Sequence, residues 1–148
     1  MTTFALDSSA VLAWILQESG RWNLVDAVLN EALADPVLPG PVLTEVIVTA
    51  HRRGNTSSAQ HIADTLTAIG MRVEPANDVD LLRAAELIEL SEDHPGEHQL
   101  KTQRTTLSLG DALILAVTER LGVQILTKDR YWTQFAANGH TRVGIVQI

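Results

Sequence analysis

Four acidic residues stand where their carboxylates could share one site, which is the arrangement that metal-assisted chemistry needs. Asp7 directly follows a short apolar segment typical of a strand, and Asp129 lies three residues past a second such segment. Glu45 and Asp111 each lie in the first turn of a predicted helix. In open α/β sheets, ligands bind beyond the carboxyl ends of the strands, where the following helices begin. We therefore expect these four carboxylates to converge at one edge of a sheet.

Helix capping is the alternative role for each of these acids. Asp7 and Asp129 are suited to N-cap positions, and Ser108 and Asp111 have the spacing of a capping box. Glu45 would complement a helix dipole. The residues around Asp7 and Asp111 are apolar, however, and carboxylates at the rim of a buried core are unfavourable unless they are compensated. Mg²⁺ prefers oxygen ligands and would compensate a cluster of acids without any histidine or cysteine.

The segments that would position the acids alternate between strand and helix patterns. Strands are predicted at residues 3–6, 36–38, 71–74, 123–126 and 142–148. Helices are predicted at residues 8–17, 22–33, 41–53, 57–69, 79–90, 108–121 and 129–137. The fourth helix has a capping-box spacing between Ser57 and Gln60. This order predicts an α/β fold in a single domain, residues 1–148, with a mainly parallel sheet of four to five short strands flanked by helices on both faces.

One segment carries no helix or strand pattern. Residues 91–106 are polar, include Pro95 and Gly96, and are predicted to form one long loop. The two histidines in it, His94 and His98, are four residues apart, as metal ligands on a helix can be. The proline and glycine between them preclude that helix, so we expect a solvated loop rather than a metal site.

Composition narrows the class of protein further. The 148 residues are 45% apolar and 20% charged, which excludes a disordered tail or a fibre. The absence of cysteine excludes disulfides, thiolate metal sites and thiol nucleophiles. The net charge of −7 is opposite to that of a general nucleic-acid-binding surface, so a polyanionic substrate would need a local basic patch or bound cations. With no secretory signal and no run that could span a bilayer, we expect a cytoplasmic protein.

The sequence around the four acids resembles the motif blocks of PIN-domain nucleases. The blocks are Leu-Asp-Ser-Ser-Ala-Val-Leu at 6–12, Thr-Glu-Val at 44–46, Leu-Ser-Leu-Gly-Asp-Ala-Leu-Ile-Leu-Ala at 107–116 and Leu-Thr-Lys-Asp-Arg-Tyr-Trp at 126–132. Their order and the chain length are most similar to the VapC-type toxins of bacterial toxin–antitoxin pairs. The resemblance covers essentially the whole chain, although residues 91–106 are longer than in the compact form of the fold.

The resemblance implies a PIN fold and an endoribonuclease that depends on Mg²⁺ or Mn²⁺. The acids of the family match Asp7, Glu45, Asp111 and Asp129, which would surround the metal. We assign Asp7 and Asp111 as the primary ligands, with the other two acids acting directly or through water. Because water rather than the ribose 2′-hydroxyl would attack, the products should carry 5′-phosphate and 3′-hydroxyl ends. Asp7→Asn should abolish cleavage and leave the fold intact.

The residues beside Asp129 are the candidates for substrate binding. Lys128 and Arg130 flank it and could hold RNA phosphates within an otherwise acidic chain. The resemblance also places Thr127 at the edge of the site. Trp132 has two interpretations, as a residue that stacks on a base or as a core residue.

Other functions fit the residues less well. A phospho-receiver domain would need an acceptor aspartate near position 55, where the chain has Asn55, and a dehalogenase-type phosphatase would need one at Ser9. A catalytically silent PIN-like module that binds RNA or protein remains the alternative. The resemblance further implies a cognate antitoxin as partner and a homodimer.

Overall fold

The computed structural model describes residues 2–97 and 104–148, and within them it contains seven strands and seven helices. The strands are β1 Thr2–Leu6, β2 Ala34–Pro39, β3 Arg72–Glu74, β4 Gly96–Glu97, β5 Arg104–Thr105, β6 Gln124–Thr127 and β7 Gly144–Gln147. The helices are α1 Ser8–Ile15, α2 Trp22–Leu29, α3 Gly40–Arg52, α4 Ala59–Ala68, α5 Asp78–Asp93, α6 Leu109–Leu121 and α7 Arg130–Ala137.

The central sheet has five parallel strands in the order β3-β2-β1-β6-β7. From β1 the chain first builds outward through β2 and β3, and it then returns to place β6 on the other side of β1. The carboxyl ends of β1 and β6 lie side by side, with Leu6 aligned to Leu126. This is the topological switch point of the sheet, where open α/β folds bind their ligands. The predicted α/β fold class is confirmed.

Helices cover both faces of this sheet. Phe4, Ala5 and Leu6 of β1 are consecutive and at most 4% exposed, as are Ile125 and Leu126 of β6. Successive residues of a strand point to opposite faces, so burial of consecutive residues requires packing on each face. Helix α6 has more buried residues than any other described helix, and it contacts both α5 and α3. None of the helices in the described ranges is long and apolar enough to cross a membrane.

The prediction of one long loop at residues 91–106 is wrong in two respects. Helix α5 continues through Ser91 to Asp93, because the buried Ser91 hydroxyl donates to Ile88 O at 2.7 Å and accepts from Leu107 N at 3.0 Å. A polar residue is therefore satisfied inside the protein and does not end the helix. Strands β4 and β5 then pair as a short antiparallel ladder. Residues 98–103, which include His98, lie outside the described residues.

Several predicted helix ends also differ from the structure. Helix α1 ends at Ile15, two residues earlier than predicted, and Ile15 and Leu16 at its carboxyl end are 45% and 43% exposed. Helix α2 ends at Leu29, four residues earlier than predicted. Helix α4 is capped by Ser58 instead of Ser57, since the Ser58 hydroxyl accepts from the backbone of the third helical residue at 3.1 Å. Local polar groups compete for these ends, which is why composition alone places them imprecisely.

Candidate active site

Asp7 is held at the switch point by hydroxyl groups from two elements. It follows β1, it is 5% exposed, and its backbone N–H donates to Leu126 O at 3.0 Å. Its Oδ2 atom accepts hydrogen bonds from Ser9 Oγ and Thr127 Oγ1, each at 2.8 Å. Its Oδ1 atom has only a long contact of 3.5 Å with Ser8 Oγ. The side chain makes no cap hydrogen bond to α1, so the capping interpretation does not account for Asp7.

Ser9 is the residue of this network that the sequence analysis missed. Its hydroxyl donates to Asp7 and accepts from Lys128 N at 3.0 Å, and Thr127 Oγ1 in turn accepts from Asp129 N at 3.1 Å. These bonds tie the start of α1 to the segment after β6. The available signal was a hydroxyl residue two positions after an acid that ends a strand, which by itself is a common pattern.

Glu45 comes from α3 and lies in its second turn, because the helix begins at Gly40. The prediction of a first-turn position, and with it the dipole role, is wrong for this residue. The half-buried carboxylate accepts a hydrogen bond from Ser8 Oγ at 2.6 Å through Oε2. Burial raises the pKa of Glu45, the Ser8 hydrogen bond opposes this, and the charge of Asp7 adds to it.

Asp111 combines both of the roles considered for it. It forms a capping box with Ser108, in which each side chain accepts a hydrogen bond of 3.1 Å from the other's backbone N–H. Burial raises the pKa of Asp111 to about 6, against the lowering effect of those hydrogen bonds. The charges of Asp129 and Asp7 raise it further. Asp111 therefore forms a complete capping box, and the negative charges of its acidic neighbours still act on its carboxyl group.

Asp129 is the N-cap of α7, and its Oδ1 accepts from Tyr131 N at 2.9 Å. Burial raises the pKa of Asp129, two backbone hydrogen bonds lower it, and the charge of Asp7 raises it. The charge of Asp7 therefore adds to burial in raising the pKa of each of the other three acids, as is expected of carboxyl groups in one region of the protein. Among the described residues, none of the four forms an ion pair with a lysine, arginine or histidine.

The donor set suits a hard divalent cation, since it consists of carboxylate oxygens whose mutual repulsion is not neutralised by the protein. The side chains are not arranged around a common point where such a cation could bind, however. In residues 2–97 and 104–148, no three Asp, Glu or His side chains are arranged to hold a single metal ion. Ser8, Ser108 and the start of α7 each hold one oxygen of an acid. Within the same residues, Glu45 Oε1 and Asp111 Oδ1 accept no hydrogen bond.

The three residues predicted to bind substrate lie at this edge of the sheet in different environments. Thr127 is fully buried and its hydroxyl is bonded to Asp7, so its contact with substrate stays a prediction. Lys128 is partly exposed and its Nζ lies 2.8 Å from Glu18 Oε2. Arg130 is exposed at the first position of α7. Trp132 is fully buried, which confirms its interpretation as a core residue.

Replacing Thr127 by valine should weaken metal binding at the candidate site. Valine keeps the shape of threonine but removes the hydrogen bond to Asp7 and the acceptor for Asp129 N–H. Loss of such an outer-shell partner typically lowers metal affinity about 10- to 100-fold, and leaving buried polar groups unpaired costs about 1–3 kcal/mol. Calorimetric titration with Mn²⁺ measures the first effect and chemical denaturation the second. Thr127→Ser keeps the hydroxyl, and a serine variant as weak as the valine variant would contradict this role.

Comparisons with known proteins agree with the fold. The family model described as PIN domain matches residues 4–138. A comparison with curated protein sequences found no match. Among solved structures, VapBC-1 from nontypeable Haemophilus influenzae is similar with a TM-score of 0.70 at 14% identity, covering 99% of this chain and 98% of that chain.

Two further structures are toxin–antitoxin proteins of Mycobacterium tuberculosis. VapC20, described as a toxin that cleaves the sarcin–ricin loop, has a TM-score of 0.66 at 20% identity and covers 92% of this chain and 95% of its own. VapBC-5 has a TM-score of 0.58 at 21% identity, with complete coverage of both chains. At these identities the similarity demonstrates a shared fold.

Proposed function

Because the chain belongs to the PIN domain family, we propose that it is a metal-dependent endoribonuclease and the toxin of a toxin–antitoxin pair. One observation carries the proposal: the buried Asp7 stands at the switch point of the sheet, and Ser8 Oγ lies between it and Glu45, 3.5 Å from Asp7 Oδ1 and 2.6 Å from Glu45 Oε2. Burial raises the pKa of Glu45, Asp111 and Asp129, and the charge of Asp7 adds to that effect. Among the described residues none of the four acids is paired with a basic side chain, so the protein does not neutralise their charges by ion pairing. Acidic groups with raised pKa values are typical of functional sites that bind a cation or a proton.

Each acid has a distinct part in the proposed site. Asp7 and Asp111 would be the primary ligands of Mg²⁺ or Mn²⁺, and Glu45 and Asp129 would complete the site directly or through water. When bound, the ion would activate water and neutralise charge on the phosphoryl oxygens. The hydroxyl groups of Ser9 and Thr127 orient the Asp7 carboxylate by holding its Oδ2 atom. Because the described side chains are not arranged to hold one ion, the acids would have to leave their present hydrogen bonds to share it.

Cleavage of RNA by the purified chain tests this function directly. We expect a mixture of transfer and ribosomal RNA to be cut with Mg²⁺ or Mn²⁺, to leave 5′-phosphate ends, and to stay intact with EDTA. Single-stranded DNA of matched length serves as the substrate control. Cleavage that persists in EDTA, or ends that carry 2′,3′-cyclic phosphate, would contradict the mechanism.

Arg130 should contribute to RNA binding through phosphate contacts. In an Asp7→Asn background that prevents turnover, Arg130→Ala should weaken binding several-fold and reduce the slope of log K against log salt by about 0.7, the value for one single-strand phosphate contact. Fluorescence anisotropy over a series of salt concentrations measures both. Arg142→Ala is the matched control, since Arg142 precedes β7 and so lies at the opposite edge of the parallel sheet. Equal losses from the two variants would exclude a specific role for Arg130.

Lys128 would need to leave Glu18 before it could contact a phosphate. Its ion pair with Glu18 is partly exposed at both ends, so little free energy opposes the exchange. We therefore keep Lys128 in the proposed substrate-binding set, together with the exposed Arg130, which forms no ion pair with any residue in the described ranges. Thr127 is kept in the set at the edge of the site.

The remaining partners follow from the same proposal. The similar structures include VapBC proteins from Rickettsia felis and Haemophilus influenzae and a toxin–antitoxin complex from Klebsiella pneumoniae, which supports a cognate antitoxin for this chain. We also propose a homodimer and a cytoplasmic location. The alternative, a catalytically silent binding module, is favoured by the absence of a ready metal cluster in the described residues. A chain that binds RNA but neither binds Mn²⁺ nor cleaves would establish that alternative.

A further inference from the structure

We infer that Gly110 is a positioning residue of the acidic site: its lack of a side chain leaves the space that the Glu45 carboxylate occupies. The inference rests on the proposed function, because it concerns how one of the proposed metal ligands is placed. Gly110 immediately precedes Asp111 in the first turn of α6, and Glu45 reaches it from α3. The glycine thus connects two of the four acids.

The evidence is the distance that a side chain at this position would have. A Cβ atom on Gly110 would lie 2.6 Å from Glu45 Oε1 and 3.8 Å from its Cδ. The first distance is far shorter than a normal carbon–oxygen contact, so the carboxylate could not stay where it is. The backbone at Gly110 does not adopt the left-handed conformation that itself favours glycine. Space for Glu45, rather than backbone geometry, therefore accounts for the glycine.

The Glu45 carboxylate cannot move away from a side chain at position 110 without disturbing its hydrogen bond with Ser8. Its other oxygen, Oε2, accepts the 2.6 Å hydrogen bond from Ser8, which directly follows Asp7. The neighbouring Val46 is fully buried, and α3 packs against α6, so the backbone of Glu45 is fixed. A methyl group at position 110 would therefore rotate the carboxylate away from Ser8. Oε1, the oxygen with no hydrogen bond from the described residues, is the one that would be displaced first.

This geometry separates the effect on the site from the effect on the fold. The clash involves the end of a flexible side chain, and alanine has a higher helix propensity than glycine. Gly110→Ala should therefore leave the melting temperature unchanged or raise it, while metal binding weakens. A residue needed only for folding would lower both together. The two measurements thus distinguish positioning from structural support.

The experiment compares Mn²⁺ affinity by calorimetry and thermal unfolding in EDTA for two glycine variants. Gly110→Ala should weaken Mn²⁺ binding about tenfold, which is within the range for losing a group that orients a ligand. Gly40→Ala is the matched control, because Gly40 opens the helix that carries Glu45 and a Cβ there would meet atoms only at 3.6 Å or more. It should bind Mn²⁺ as the unsubstituted chain does.

A double substitution tests that the effect passes through Glu45. Glu45→Asp shortens the side chain by one methylene and removes the carboxylate from the space beside Gly110. Adding Gly110→Ala to Glu45→Asp should then change Mn²⁺ affinity by less than about twofold, as expected of residues that act through one contact. Equal losses in the two backgrounds, unchanged affinity in Gly110→Ala, or a fall in melting temperature would overturn the inference. Failure of the unsubstituted chain to bind Mn²⁺ would instead reject the proposed function.

Discussion

Asp7→Asn should abolish RNA cleavage while the protein keeps its fold. Asparagine has the shape of aspartate, and its amide oxygen can still accept from Ser9 and Thr127. The charge that acts on the other three acids is lost, and with it a proposed metal ligand. Loss of an outer-shell partner costs about 10- to 100-fold, and a direct ligand contributes more, so we expect at least about a 100-fold loss of activity. Initial rates of RNA cleavage at saturating Mg²⁺ measure it.

A control variant must show that the loss of activity comes from removing Asp7 and not from removing a negative charge anywhere on the protein. Asp64→Asn makes the same chemical change on the exposed surface of α4 and should retain full activity. Thermal unfolding should show that the Asp7 variant is folded, and in the absence of metal its stability should not fall, because repulsion within the site is relieved. Activity that survives Asp7→Asn would remove the central residue of the proposed mechanism.

Asp111→Asn should stabilise the metal-free protein and inactivate it at the same time. Burial and the neighbouring acids raise the pKa of Asp111 to about 6, so its ionised form is disfavoured in the folded state. Asparagine keeps the acceptor for Ser108 N–H and therefore the helix cap. One pKa unit corresponds to about 1.4 kcal/mol, and allowing for solvent screening we expect a gain of about 1–3 kcal/mol above pH 7. Denaturant titration in EDTA gives the value.

The pH dependence of this gain follows from the direction of the shift. Between the ordinary pKa of 3.8 and about 6, the folded protein holds more protons on Asp111 than the unfolded chain does. The carboxyl group therefore contributes its full stability below pH 4 and loses it progressively as the pH rises through about 6. The difference between the variant and the unsubstituted chain should be near zero at pH 4 and largest above pH 7. A constant difference across that range would indicate a cause other than ionisation.

Metal provides the control for the same variant. Saturating Mn²⁺ stabilises whatever folded state binds it, so the unsubstituted chain should gain stability and the Asp111→Asn variant should gain little. The stability difference between the variant and the unsubstituted chain should therefore become smaller or change sign when the ion is added. Conversely, Mn²⁺ affinity of the unsubstituted chain should fall as the pH drops below about 6, because protons compete for Asp111. Affinity that is independent of pH would exclude Asp111 as a ligand.

The pattern of residues along the chain was enough to predict the central sheet, most of the helices and the acids that they carry. Alternating apolar segments and caps predicted the parallel sheet, and the position of Asp7 and Asp129 after strands placed both at its ligand-binding edge. The capping box of Ser108 and Asp111 formed as its spacing indicated. These features depend on residues that are only a few positions apart in the chain, so the spacing of residues in the sequence is enough to predict them.

The orientation of the acids depends on contacts between residues that are far apart in the chain. The hydroxyls that hold Asp7 come from Ser9 and from Thr127, which is 120 residues away, and they meet because β1 and β6 are neighbours in the sheet. The fit of Glu45 against Gly110 likewise depends on the packing of α3 on α6. Contacts of this kind are set by strand order and helix packing. Spacing along the sequence does not specify either, since only the folded chain brings these side chains within a few ångströms of one another.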